Sequence, residues 1–211
     1  MNVELMGIFQ QKETRLSFVD GALKEGPVKT NFIVVRLEDT YYYVRPIDDR
    51  LRPQGRGRLV LEDEFLTDFL PDPAFFFQCL HPVMVSLRKR IQSVGGNIKS
   101  LTPNTLEKRV LGLFQLADAV KDQTHNGFVL ALRLAVSAPL TATAARHALV
   151  QHYFTLANRL HTAHHDEQAV LYLRHALGLD PADKRVLSLL RELYAESGIK
   201  REEETDLRQV V

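Results

Sequence analysis

The hydrophobic period of this chain changes once, near residue 62, and that change limits the fold more than any other feature. Before it, apolar residues come in short β-branched and aromatic runs: Val3 to Phe9, Leu16 to Val19, Phe32 to Leu37, Tyr41 to Val44 and Arg58 to Leu61. Such runs suit half-buried strands. Glu38-Asp39-Thr40 joins two of them as the strongest hairpin signal, Asp20-Gly21 ends another run, and Gly26-Pro27 is expected to divide two hairpins. A small antiparallel sheet cannot stand alone and needs an element packed on its apolar face. After residue 62 the apolar positions recur every three to four residues, the period of helices. The expected fold is therefore α+β. An N-terminal antiparallel β-rich unit with packing helices would span residues 1–95, and an all-α region of antiparallel helix pairs would span 104–211.

Local signals place the helices. Glu62 to Leu70 predicts one short helix, and Asp72-Pro73 predicts another, because proline in a first turn gives up only an amide that had no partner. Pro82 is expected to break or kink that element, with Val83, Leu87, Ile91 and Val94 forming a stripe as far as Gly95-Gly96. Phe75, Phe76, Phe77 and Leu80 are expected to cover the open face of the sheet. Asn104 with Glu107 makes a capping box ahead of the stripe Leu106, Val110, Leu113, Ala117 and Val120. Phe128 to Val136 follows, and Pro139 to Thr143 opens a long helix through about Leu160.

Within the helical half, Tyr153-x2-Leu156-Ala157-x2-Leu160, then Ala169-x3-Leu173, Ala176 and Pro181 resemble the tetratricopeptide repeat, a helix-turn-helix unit of about 34 residues. Ala157 and Ala169 are small where antiparallel helices would cross closely, with Leu160 and Leu173 beside them, and Asp180-Pro181 would start the next helix. Shifting the sequence by about 34 residues maps Tyr153, Leu156, Leu160 and Leu173 onto Leu187, Leu190, Tyr194 and Leu207, with Gly198 in the turn. Arg191 and Glu203 stand where the small alanines would be, so 184–211 reads as a degenerate or capping repeat after 150–183. The resemblance implies binding of a peptide or another protein on a concave face lined by the first helix of each pair. On that face the candidate groove residues are Gln151, Phe154, Asn158, His161 and Thr162. The implied role is that of a non-catalytic scaffold or adaptor, with homo-oligomerisation through the terminal helices as a further expectation.

A rival reading rests on Arg45, Arg50, Arg52, Arg56 and Arg58, in a Pro/Gly-rich loop after Tyr41 to Tyr43. Arginines interleaved with tyrosine can grip phosphate and stack on bases, as a nucleotide or small-ligand sensor would. Arg52-x3-Arg56 is similar to the arginine pair of PilZ domains, small β-barrels that bind a cyclic dinucleotide, but the partner motif of that family is missing. Asp48, Asp49 and the acidic run Glu62, Asp63, Glu64, Asp68 largely cancel the loop's charge. With 27 basic and 26 acidic residues and a net charge of +1, the chain has no global field to attract nucleic acid. Arg88-Lys89-Arg90 reads as a solvated helix face. His147, His152, His161, His164 and His165 cluster near Asp166 and Glu167; His161 and His165 would share a face at i,i+4, but helix-end histidines explain the cluster without a metal.

The usual nucleophile, phosphate-loop, dinucleotide and CxxC patterns are absent, so the sequence nominates no catalytic residue and no cofactor. Met1 to Phe9 carries Glu4 and is unlike a signal peptide, and no apolar run reaches the ~18 residues of a membrane span. Cys79, the single cysteine, leaves no disulfide framework. A cytoplasmic protein is expected.

Overall fold

The chain opens on a long β-hairpin. In the computed structural model, which describes residues 3–19, 22–37, 40–95, 100–114 and 127–196, β1 (Val3–Val19) pairs antiparallel with β2 (Ala22–Leu37). Pairing runs from Val3 opposite Leu37 to Val19 opposite Ala22. The polar stretch Gln10 to Thr14 is thus strand, and Gly26-Pro27 does not divide two hairpins. Pro27 sits opposite Thr14, beyond the residues of β2 that meet a second neighbour. There its missing amide costs no ladder bond. Register shifts once, between Leu5 and Gly7, and Gly7 takes φ 118°, a left-handed backbone that glycine adopts without strain at a bulge.

Three short strands complete the sheet: β3 (Tyr41–Ile47), β4 (Arg58–Leu61) and β5 (Phe69–Pro71), in the order β4-β3-β2-β1-β5. Helix α1 (Glu62–Asp68) stops short of the expected Leu70, because Phe69 to Pro71 turns extended and pairs with Phe9 to Gln11 of β1. This carries Phe69 into an aromatic layer with Phe32 (5.2 Å between ring centres, edge-on) and Phe65, which itself stacks on Tyr42 at 4.1 Å. Phe65 and Phe69 thus supply aromatic cover to the sheet, and of Phe75, Phe76, Phe77 and Leu80 it is Phe76 and Leu80 that are buried. Phe76 and Phe77 pack against each other and against His81.

Asp72 caps α2 (Pro73–Phe75), its carboxylate accepting from the Phe75 amide at 3.0 Å. A π-helical turn, Phe76–Leu80, then leads into α3 (His81–Ser93), with Pro82 in the first turn of α3. The wider turn accommodates the missing proline amide without a break. The chain leaves α3 through Gly95 at φ 58°. The capping box of α4 (Thr105–Leu113) forms as expected from Asn104 and Glu107, and Val110 and Leu113 are buried while Leu106 is exposed. Ala117 and Val120 lie outside the described residues. Helix α5 (Gly127–Ser137) ends the first unit.

The chain forms two compact units, Met1–Leu140 and Thr141–Val211. The helices that follow residue 95 as far as Leu140 are grouped with the sheet unit, and polar contacts tie α4 and the end of α5 to α3. Glu107, 1% exposed, accepts from Ser86 at 2.6 Å and pairs with Arg90 at 2.9 Å. His81 donates through Nε2 to the Pro139 carbonyl at 3.1 Å, and Arg88 donates to that of Ala138. The Arg88 and Arg90 side chains are thus internal ties more than a free basic patch.

The second unit contains α6 (Ala142–Thr162), α7 (Asp166–Leu179) and α8 (Lys184–Glu196). Thr141 caps α6. Tyr153, Leu156, Ala157, Leu160, Ala169, Leu173 and Ala176, the positions that carry the resemblance, are all buried. Tyr153 and Tyr172 meet edge-on at 6.4 Å. Pro181 does not begin α8; the helix starts three residues later behind Asp183, whose carboxylate accepts from the Arg185 and Val186 amides. The second half of the degenerate repeat, including Gly198, Glu203 and Leu207, lies outside the described residues.

Candidate functional site

The helical face holding the groove residues is assembled from two helices of the second unit. Gln151 and Phe154 project from α6, and Arg185 reaches them from the first turn of α8. The Arg185 guanidinium donates to Gln151 Oε1 at 2.8 Å and lies 5.4 Å from the centre of the half-buried Phe154 ring. Asp183 fixes that guanidinium from behind, accepting at 2.7 and 3.2 Å. The pair is reciprocal: the Arg185 hydrogen bond holds the Asp183 carboxyl below the usual carboxylate range, and Asp183 raises the Arg185 guanidinium above its ordinary value. The result is a platform with an aromatic floor, an amide edge and a positioned cation whose charge is already balanced.

The other groove residues are engaged differently. The Asn158 side-chain amide donates to the Phe154 carbonyl and the Thr162 hydroxyl to the Asn158 carbonyl, both at 2.9 Å, so each bonds back to its own helix. His161 turns to α7, its Nδ1 2.8 Å from an Asp166 oxygen. The structure brings Gln151, Phe154 and Asn158 into one strip and joins His161 to the helix turn. Arg185 was not singled out by sequence reasoning, although it lies 34 residues from Gln151. Extending the self-comparison to polar positions would have found it.

His161 and His165 do not share a helical face, since α6 ends at Thr162 and His164 takes a left-handed φ of 60°. Among the described residues no three His, Cys, Asp or Glu side chains are grouped to hold a metal ion.

The five arginines of the N-terminal loop are dispersed. Arg45 donates to the Gly112 carbonyl at 2.9 Å, bracing the end of α4. Asp48 organises the turn: its carboxylate accepts from the Arg52 amide at 2.7 Å and the Arg50 amide at 2.9 Å. Those bonds, the Arg52 one foremost, lower its pKa. The Arg50 carbonyl accepts from Arg109 at 2.7 Å. Arg58 pairs with Glu64. Arg56 and Arg58 line a cleft of about 490 Å³ with Lys29, Asn31, Asp48 and Asp49, a wall of mixed charge. The Cys79 thiol, half-buried, is pushed up by burial, opposite to what a reactive nucleophile requires.

Comparison with protein-family models, curated proteins and solved structures finds no match.

Proposed function

We propose that this chain is a non-catalytic protein–protein interaction scaffold or adaptor that takes an extended peptide segment of another protein on the α6–α8 face. The observation that carries the reading is the contact of Gln151 with Arg185, residues 34 apart. A contact at that interval is what equivalent positions of consecutive first helices would make in a tetratricopeptide-like stack. It leaves Phe154 half-covered by a guanidinium, with amide groups beside it, an arrangement suited to stacking and directional hydrogen bonds along a peptide. Because Asp183 already balances Arg185, binding should depend little on salt. A cytoplasmic setting fits the lone free Cys79, and no described helix is long and apolar enough to cross a membrane.

The test is capture of partners by the intact protein and by Phe154→Ala/Asn158→Ala and Arg185→Ala, with circular dichroism confirming unchanged helix content. Selective loss of the same partners from both variants supports the face. Equal recovery from all three proteins refutes it.

A second reading, a nucleotide or small-ligand sensor, is favoured by the cleft at Arg56 and Arg58. A ligand held only by the folded state raises the melting temperature. Stabilisation by a nucleotide that Arg52→Ala and Arg56→Ala abolish would put this reading first.

A further inference from the structure

The open edge of the sheet carries a second interaction surface, in the first unit and independent of the helical face. Strand β4 is the terminal strand. It is also where large apolar side chains are left in water: Leu59 is 39% exposed, Leu61 58%, and Tyr41, directly across from Leu61, 45%. These three lie on one side of the sheet, since Leu59 and Leu61 are two residues apart and Tyr41 opposes Leu61. The Glu62 amide donates to the Thr40 carbonyl, which fixes the phase of the β3–β4 ladder. By alternation Arg58 and Val60 direct their main-chain groups to β3, and Leu59 and Leu61 direct theirs to the open side. No proline or bulge interrupts the strand, so it lacks two usual guards of an edge.

The sequence around this edge is complementary to itself. Arg56 and Arg58 precede Leu59-Val60-Leu61, and Glu62, Asp63 and Glu64, the acidic first turn of α1, follow it. Two copies of β4 laid antiparallel about Val60 would put Leu59 beside the other copy's Leu61. Each copy's basic end would then face the other's acidic end. A parallel arrangement would instead set like charge against like. Arg58 is already paired with Glu64, and Glu62 accepts from the Tyr42 hydroxyl at 3.3 Å. Arg56 and Asp63 make no ion pair among the described residues.

We infer that β4 is a self-association edge: two copies of this chain join antiparallel through Leu59 and Leu61 into one continuous sheet, with Arg56 of each copy set toward the acidic first turn of the other. The occupant is a second copy because charge order along the edge and the apolar pair at its centre are both symmetric under that operation.

Leu61 supplies a selective probe. Its φ of −74° is one that proline adopts, and its outward amide makes no bond within the sheet. Leu61→Pro should therefore keep the monomer's fold while removing an intermolecular donor at each end. Sedimentation velocity of the full chain from micromolar to near-millimolar concentration should show a monomer–dimer equilibrium. Leu61→Pro should weaken it by at least about tenfold. Arg56→Glu and Asp63→Arg should each weaken self-association, and an equimolar mixture of the two should restore it as a heterodimer. This exchange keeps the proposal testable even if Leu61→Pro fails to fold. A wild-type chain that stays monomeric throughout overturns the proposal and leaves the edge to a strand of another protein. A dimer unaffected by Leu61→Pro, or charge variants whose mixture recovers nothing, also overturns it.

Discussion

Arg185 of the helical unit does different work from the arginines that tie the sheet unit together. In the sheet unit Arg45 holds the Gly112 carbonyl, Arg88 the Ala138 carbonyl, Arg90 the buried Glu107, and Arg109 the carbonyl of Arg50. Each spans a gap between segments distant in sequence, although the Nε of Arg45 and that of Arg88 are buried without a hydrogen-bond partner. In the helical unit Arg185 is held by Asp183 two residues away and laid over Phe154 at the surface. Its charge is balanced within one turn, while its bond to Gln151, 34 residues away, ties it to α6 at the surface. The difference lies in burial: Arg45, Arg88 and Arg109 are half-buried, whereas Arg185 is exposed beside Phe154.

The sharpest way to test this contrast is to remove the buried acid that Arg90 and Ser86 share. Glu107→Ala leaves Ser86, Arg90 and the Asn104 amide without their common acceptor. It should cost about 3 kcal/mol or more in chemical denaturation; a loss within the range of surface substitutions would show that these ties are dispensable. A smaller effect of steric origin is expected at Gly57, where any Cβ would fall on the Tyr43 ring and hydroxyl. Tyr43 is buried and cannot swing away, so Gly57→Ala should destabilise by about 1–3 kcal/mol.

In the helical unit the corresponding changes should be milder. Asp183→Ala removes the cap of α8 and the support of Arg185, costing about 1 kcal/mol. The effect should depend on pH in a definite direction. Because the folded-state pKa of Asp183 is depressed, the carboxylate's contribution is complete above its unfolded value of about 3.9 and is lost as pH falls through the folded value. The gap in melting temperature between wild type and Asp183→Ala should hold from neutral pH to about pH 5 and close below about pH 4. A gap of the same size at pH 3 would contradict the assignment. Least of all should Arg185→Ala alter stability: its melting temperature should match wild type while partner capture falls. A large drop in melting temperature would make Arg185 a structural tie like those of the sheet unit and erase the contrast.

What could be read from the sequence follows the range of the interaction. Asn104 and Glu107 were legible as a capping box because the motif closes within three residues. The tetratricopeptide-like positions were legible as core because helical spacing alone aligns Tyr153, Leu156, Ala157 and Leu160. Gly26-Pro27 was misread as a separator because local propensity cannot tell that β2 has no second neighbour at Pro27. The end of α1 was missed for a similar reason, since Phe69 becomes strand only because β1 offers it a pairing edge and an aromatic pocket. Of the candidate face, Gln151, Phe154 and Asn158 could be nominated from helical period, whereas the role of Arg185 depended on α8 lying beside α6.

The sequence by itself determined the α+β class, the caps at Asp72 and Asn104, and which side of each helix in the α6–α7 pair is apolar. These follow from periodicity and contacts a few residues long. Tertiary structure alone decided that the first hairpin is continuous, that α3 to α5 belong with the sheet, which arginines are spent internally, and that Leu59 and Leu61 end on an open edge. Those outcomes depend on which distant segment takes up each hydrogen bond and apolar surface, a competition that local sequence does not encode.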